Sequence, residues 1–487
     1  MKSTPNTLKL IGLILGPLLF LIIIYSYPEE SALAPKAWRV IGLASWMIVW
    51  WITEAVPIPV TALLPMFIFP LTGVFTINES TAPYSSHIIY LFMGGFIIAL
   101  AMEKHNLHKR IALNLIKLTG TKANGIILGF MISTAFLSMW ISNTATAVMM
   151  LPIALSVTEL LSGKPATSDQ QKPFKLFALA LFLSIAYAAN IGGTATIIGT
   201  PPNVVLSGII SQQYGIDLDF NKWLIIGIPT ATILLACTYL LLTRVLFKSN
   251  LGRISGASDL IKEQLKELGP FSKSEVLVTL VFGLTASGWI LKNEINSWIG
   301  EKLLTDTITA MVGGCLMFVV PVDIKKGEFL LDWATMKKLP WGILILFGGG
   351  LCLAKGMESA NIIQLIGDSI ANNGQFSVWI LILVLTGVML FMTELMSNVA
   401  LTNIFVPVVA GIADGLNLSP LLLTIPVTMA ASCAFMMPIS TPPNAIVFAS
   451  GYIRMKDMIR AGFLLNIISI LLLLGAAVTL VNWVYLS

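Results

Sequence analysis

Two short polar motifs interrupt this otherwise apolar chain, and they stand in a fixed relation to each other. Ser142-Asn143-Thr144 returns 255 positions later as Ser397-Asn398-Val399. The same ungapped offset lays Leu91-Phe92-Met93-Gly94-Gly95 on Leu346-Phe347-Gly348-Gly349-Gly350, Met102-Glu103 on Met357-Glu358, Asn106 on Asn361, Ser138 on Thr393 and Pro152 on Pro407. A second pair, Gly199-Thr200-Pro201-Pro202-Asn203 and Ser440-Thr441-Pro442-Pro443-Asn444, is offset by 241 because a loop in the first copy is longer. One Ser-Asn-Thr alone would read as an interhelical hydrogen bond, and one Thr-Pro-Pro as a helix kink. Their joint recurrence marks a duplication with two polar knots per half, the pattern of a site built where two repeats meet.

The residue types say what such a site can hold. Hydroxyl, amide and carbonyl oxygens are hard donors suited to a hard cation such as sodium. Thr-Pro-Pro reads as a helix start, since Thr can cap and Pro fits the first turn, where its missing N–H costs nothing. A half-helix that starts inside a membrane aims free N–H groups and its positive dipole end into the space ahead, which favours carboxylate or sulfate. Hairpin tips at Asn143 and Asn398 would start second half-helices in the same way. Every Lys and Arg falls toward a segment end or a loop, so bound cations must supply the remaining positive charge, and anion and cation binding become linked.

The elements that must position these knots are membrane helices. Hydrophobic residues make up 56% of the chain and charged ones only 11%, and the mean hydropathy is +0.87, too little charge to cover a soluble surface of this size. The apolar stretches suit helices crossing ~30 Å of hydrocarbon, and the alternation of a barrel strand is missing, so the fold class is all-α. Eleven crossings are expected near 10–27, 40–53, 57–73, 88–102, 178–210, 223–246, 275–292, 307–322, 341–357, 420–450 and 462–484. Two further stretches, 123–156 and 378–413, are too short for two crossings of ~20 residues each and read as re-entrant hairpins.

A cytoplasmic N-terminus puts 23 of the 29 basic residues on the inner side, leaving Lys36, Arg39, Lys222, Lys292, Lys302 and Lys355 outside. The positive-inside rule expects this bias and makes the C-terminus extracytoplasmic. The net charge of +5 then reflects orientation, not nucleic-acid binding. Five crossings separate the two Ser-Asn motifs, and an odd number inverts the second copy. The organisation is an N-terminal helix and outer loop (1–39), a first inverted repeat (40–247), a cytoplasmic linker (248–274) with a short helix near 258–268, and a second repeat (275–487). Lys2, Lys9 and apolar 10–24 also resemble a signal peptide ending at Ala32-Leu33-Ala34, although Pro35 would directly follow the cut. Cys237, Cys315, Cys352 and Cys433 read as buried small hydrophobes, and His87, His105 and His108 as solvated or interfacial. Trp46, Trp50 and Trp51 read as packing or belt residues, and Glu54 and Glu394 as the acids closest to membrane depth, with a structural role beside broken helix ends and proton relay as the alternative.

These residues resemble the divalent anion/sodium symporter family, whose members carry dicarboxylates, citrate or sulfate. The resemblance spans nearly the whole chain. Its most specific part is Ala431-Ser432, Phe435, Pro438-Ile439-Ser440 and Asn444-Ala445-Ile446-Val447, joined by Trp51-Ile52-Thr53-Glu54-Ala55-Val56-Pro57 and by Thr393-Glu394. It implies a homodimer in which a scaffold holds an elevator-type transport domain containing both hairpins and both broken helices. By the same resemblance, one sodium site would use Ser138, Ser142, Asn143 and backbone at Gly199, and a second Thr393, Asn398 and backbone at Ser440. Substrate carboxylates would meet Ser142, Asn143, Thr144, Thr200 and Pro201 on one side, and Ser397, Asn398, Val399, Thr441 and Pro442 on the other. Many bacterial dicarboxylate members have Thr in both motifs, so Val399 removes one possible donor.

The expected activity is sodium-coupled import of C4 dicarboxylates such as succinate, malate and fumarate across a bacterial-type inner membrane, in contact with lipid. Citrate or sulfate symport, or dicarboxylate exchange, is the alternative. No organic cofactor is implied, only sodium as coupling ion. An enzyme would need a nucleophile with its base or clustered metal ligands, which three peripheral histidines and scattered cysteines do not provide.

Overall fold

A computed structural model describes residues 7–28, 33–162, 168–254, 256–372 and 377–486. Lys2 and Ala32 of the signal-peptide reading lie outside them, as does Lys164. The described chain is helical throughout, apart from a small antiparallel ribbon that pairs Pro321–Asp323 with Glu328–Phe329.

Among the described residues, eight helices are long and apolar enough to cross a membrane, or nine when the bent pair Lys273–Ile290 and Lys292–Ile299 counts as one. Two of the eight, Asn143–Leu160 and Asn398–Gly415, are the second arms of the expected hairpins, because length and composition do not separate a spanning helix from a re-entrant arm. Of the eleven expected crossings, 57–73, 307–322 and 420–450 fall on helices of 10–17 residues, Ile58–Leu71, Asp306–Val319 and Pro420–Ala431. The first of these is interrupted at Ala62-Leu63, just before Pro65.

Both Thr-Pro-Pro segments break their helices as their composition requires. The Ser168–Thr194 helix stops and a new one starts at Pro201, while the Pro420–Ala431 helix stops and its successor starts at Pro442. The hairpins turn where the Ser-Asn motifs lie, between Ala123–Ser138 and Asn143–Ser162 and between Val378–Thr393 and Asn398–Gly415. A helix at Ala257–Glu267 occupies the linker. Gly192 lets the long Ser168–Thr194 helix press on the first hairpin, since a Cβ there would come within 2.3 Å of the Ala135 carbonyl oxygen.

Three local expectations change. Cys352 and Cys433 are buried, but Cys237 is half-buried and Cys315 exposed. His108 is buried, with its ring Nδ1 3.0 Å from the Met102 carbonyl oxygen, because the amphipathic Leu107–Leu118 helix folds back under the bundle. Glu54 is the exposed left-handed cap of the Pro35–Thr53 helix, 3.7 Å from Lys9, and has no place in the interior. Trp51 is buried, and Trp46 and Trp50 stack edge to face at 5.2 Å, in keeping with a packing role.

Candidate functional site

The turn of the first hairpin gathers oxygens. Ser138 Oγ lies 2.6 Å from Asn143 Oδ1 and 2.7 Å from the Ala189 carbonyl oxygen on the long helix. The second hairpin repeats this cluster with Thr393 Oγ1, 2.7 Å from Asn398 Oδ1 and 2.8 Å from the Ala431 carbonyl oxygen. A hydroxyl carries one proton and can donate to only one of two acceptors at a time. Each cluster therefore holds one more close oxygen–oxygen approach than it has protons, an arrangement that a hard cation relieves.

Gly193 lies where the broken helix comes up to the first cluster. A Cβ on Gly193 would fall 2.6 Å from Asn143 Oδ1 and 3.1 Å from the Gly199 carbonyl oxygen, so only glycine lets the two come together there. Ser142 caps its half-helix by accepting the Ala145 N–H at 3.2 Å, whereas Ser397 makes no such side-chain cap. Ser440 is not brought into contact with Thr393 or Asn398 by a hydrogen bond. Its hydroxyl instead donates to the Met437 carbonyl at 2.6 Å within its own loop.

The Thr-Pro-Pro-Asn motifs superpose in conformation. Thr200 (φ −142°, ψ 142°) and Thr441 (φ −142°, ψ 149°) are extended residues ahead of their helices. Thr441 caps by accepting the Asn444 N–H, but Thr200 does not cap its helix, and its hydroxyl stands 3.4 Å from Ser432 Oγ in the other half of the chain. From the first repeat, Asn190 Nδ2 donates to Thr441 Oγ1 at 3.1 Å. The two breaks are thus tied to each other in both directions. Helix packing follows the same exchange, with Pro442–Phe448 against Asn143–Ser162 and Pro201–Tyr214 against Asn398–Gly415. Thr144 and Pro442 are exposed, Ser142, Asn143, Ser397, Asn398 and Pro201 are half-buried, and Thr200 and Thr441 are buried. Val399 is half-buried among apolar neighbours, and its carbonyl accepts Asn403 Nδ2 at 3.0 Å.

Side chains beyond the expected ligands hold these loops, Glu394 in the structural role beside a broken helix end that its sequence position suggests. Asn203 Nδ2 reaches back to the Thr196 carbonyl at 2.8 Å, and Asn444 Nδ2 to the Ala434 and Met437 carbonyls, both at 3.0 Å, so the last letter of each motif latches its unwound stretch. Glu394 is buried and accepts backbone N–H groups of Phe435, Met436 and Met437 at 2.7–3.1 Å, with Asn466 Nδ2 at 2.9 Å. Its counterpart at the repeat offset is Met139, whose carbonyl accepts Thr196 Oγ1 at 2.6 Å. The same loop is anchored by an anion in one half and by a neutral contact in the other. Asn190 and Ser432 each directly follow the alanine whose carbonyl joins its cluster, so they fill equivalent places with different residue types; Ser432 lies in the family signature, and Asn190 and Asn466 are signalled only as isolated polar residues in apolar runs.

A cavity of about 930 Å³ lies elsewhere, lined by His87, Asp217, Lys292 and Asp306 among others and by no residue of the Ser-Asn or Thr-Pro-Pro motifs. Lys292 bridges Asp219 and Asp306 there at 2.8 Å each, fixing the start of the Phe220–Leu240 helix.

Residues 8–487 match the family described as the sodium:sulfate symporter transmembrane region. The chain belongs to this family of divalent anion/sodium symporters. It is a transporter and not an enzyme. Among related symporters, the sodium-dependent dicarboxylate transporter SdcS of Staphylococcus saprophyticus is 40% identical over 470 residues, covering 96% of this chain and 90% of that one. SdcS of Staphylococcus aureus is 40% identical over 476 residues, covering 97% and 91%. Among solved structures, this symporter resembles the YdaH transporter of Alcanivorax borkumensis, with a TM-score of 0.59 at 14% identity over 99% of this chain and 98% of that one. It also resembles MtrF of Neisseria gonorrhoeae, with a TM-score of 0.57 at 13% identity over 100% and 96%. At these identities the likeness concerns the fold alone.

Proposed function

We propose that this symporter imports C4 dicarboxylates such as succinate, malate and fumarate, driven by the sodium gradient. The observation that carries the reading is the duplicated oxygen cluster, Ser138–Asn143–Ala189 and Thr393–Asn398–Ala431, set beside two helix starts that are cross-tied through Asn190–Thr441 and Thr200–Ser432. Sodium held by Ser138, Ser142, Asn143 and Gly199, and by Thr393, Asn398 and Ser440, brings positive charge that the surrounding side chains do not supply. The substrate carboxylates then meet the Ser-Asn tips and the half-helix starts at Thr200-Pro201 and Thr441-Pro442, where free N–H groups and the helix dipole favour negative charge. Order of binding follows, because the anion site gains affinity only when the cations are in place. The SdcS names, over 40% identity and nearly full coverage, support sodium and dicarboxylate as the transported pair.

The inverted arrangement of eleven crossings and two re-entrant hairpins, the homodimer, the elevator movement and the cytoplasmic N-terminus in a bacterial-type inner membrane belong to the same reading. Mutually tied breaks suit a transport body that moves as one piece past a scaffold. Uptake of labelled succinate into proteoliposomes with an imposed inward sodium gradient, with malate, fumarate, citrate and sulfate as competitors, tests it. Saturable uptake that collapses without sodium and is blocked most strongly by C4 dicarboxylates is expected. Equal uptake with and without the gradient would instead indicate exchange, and preferential competition by citrate or sulfate would replace the substrate assignment.

A further inference from the structure

At the opposite end of the first hairpin from its Ser-Asn turn, a separate cavity of about 370 Å³ is lined by Asn124, Thr243, Arg244, Lys248, Ser249, Asn250 and Leu251. Its walls come from three pieces of chain. The Phe220–Leu240 helix ends in a wider π turn over Leu241–Leu246, closed by the Phe247 N–H on the Leu242 carbonyl at 2.9 Å, and π turns gather at functional sites. Residues 247–254 then form an irregular segment, with Asn250 left-handed at φ 48°, that is sewn to the start of the Ala123–Ser138 helix. The Ala123 N–H donates to the Gly252 carbonyl at 3.1 Å, the Ile254 N–H donates to the Thr121 carbonyl at 2.9 Å, and Lys122 pairs with Arg253 across a bridge.

The chemistry of the lining has one sign. Arg244 and Lys248 are exposed, make no ion pair or hydrogen bond among the described residues, and face no acidic side chain in the cavity wall. Lys122 and Arg253 add two more unpaired cations on the adjoining ribbon. Ser249 is only 4% exposed, lines the cavity and has no hydrogen-bond partner among the described residues, so its hydroxyl is free to meet a ligand or water there. The first turn of the Ala123–Ser138 helix, which has no side-chain cap, contributes Asn124 and the positive end of its dipole. Guanidinium, ammonium, hydroxyl and helix N–H together form the donor set that holds phosphate.

We propose that this cavity binds a phosphate group, carried by an anionic phospholipid headgroup or free in solution. Its position at the end of an apolar helix, on the side where the basic loops gather, matches the level of lipid headgroups, and basic clusters next to membrane helices attract anionic lipid. The site uses none of the transport residues and stands whatever the transported anion is.

The test uses the full-length protein purified in detergent. Native mass spectrometry counts retained phosphatidylglycerol against phosphatidylcholine, and millimolar inorganic phosphate serves as competitor. Wild type should retain phosphatidylglycerol in preference. Arg244→Gln with Lys248→Gln should weaken retention roughly thirtyfold, and Lys337→Gln with Lys338→Gln, the same charge change away from the cavity, should leave it intact. Displacement by inorganic phosphate identifies the phosphate group itself as sufficient, and resistance to it identifies the whole headgroup. The charge-preserving pair Arg244→Lys with Lys248→Arg should keep binding in monodisperse protein, and its loss there would contradict a charge-based site. Equal retention by wild type and the Gln pair, or no retention of either phosphatidylglycerol or phosphate by wild type, would overturn the proposal.

Discussion

Asn143 and Asn398 each offer an amide oxygen to a hydroxyl that already faces a backbone carbonyl, and this crowding is the proposed seat of cation affinity. Asn143→Ala or Asn398→Ala should raise the sodium concentration for half-maximal uptake by about tenfold or more, since a contact to a charged group is worth roughly 1.5–3 kcal/mol. Unchanged sodium dependence in correctly inserted protein would remove these residues from the cation sites. Val399 is the position where the two Ser-Asn motifs differ, and Val399→Thr should alter competition among succinate, citrate and sulfate. An unchanged ranking would show that it does not set preference. Glu394 acts on the same scale by a different route. Its carboxylate collects three successive backbone N–H groups, so Glu394→Ala leaves them unpaired in the interior and should cost about 3 kcal/mol or more of stability. Thermal unfolding in detergent reads that loss, and a neutral result would contradict the anchoring role.

At the level of elements, the unwound stretches between helices must keep their shape without a helical hydrogen-bond ladder. Asn203 and Asn444 do this by reaching back to carbonyls seven positions upstream, Thr196 and Met437. The second latch is fuller, since Asn444 Nδ2 also contacts the Ala434 carbonyl and Ser440 Oγ, while Asn203 Oδ1 has no partner. Asn444→Ala should therefore lower the unfolding temperature more than Asn203→Ala, and the reverse order would refute the latch account. Gly193 serves the approach of hairpin to broken helix. Gly193→Ala forces a Cβ against Asn143 Oδ1 and should depress sodium affinity more than it depresses expression.

On the scale of the whole molecule, the two helix breaks are tied to each other reciprocally. Asn190 crosses to Thr441 and Ser432 meets Thr200, so the two halves share each other's helix starts. The proposed orientation can be read directly from single cysteines in a background free of the four native ones. An impermeant maleimide should reach Cys at 325 from the cytoplasmic side and Cys at 302 from the outside. Labelling in the opposite sense would invert the orientation.

The linear chain by itself determined the membrane class, the hairpin turns and the helix breaks. These depend on hydrophobic length, on Pro and Gly at particular places and on offset identity, all of which are local or one-dimensional properties. Family membership was equally legible in the motifs around Ser432–Val447. Only the tertiary structure decided which oxygens converge. Ala189 and Ala431 contribute through backbone carbonyls that carry no side-chain signature, and Asn190 and Ser432 fill equivalent places with different residue types, which offset identity does not reveal. The burial of His108 and the exposure of Glu54 were likewise set by packing, because polarity in a sequence states what a side chain needs and not which neighbour meets that need.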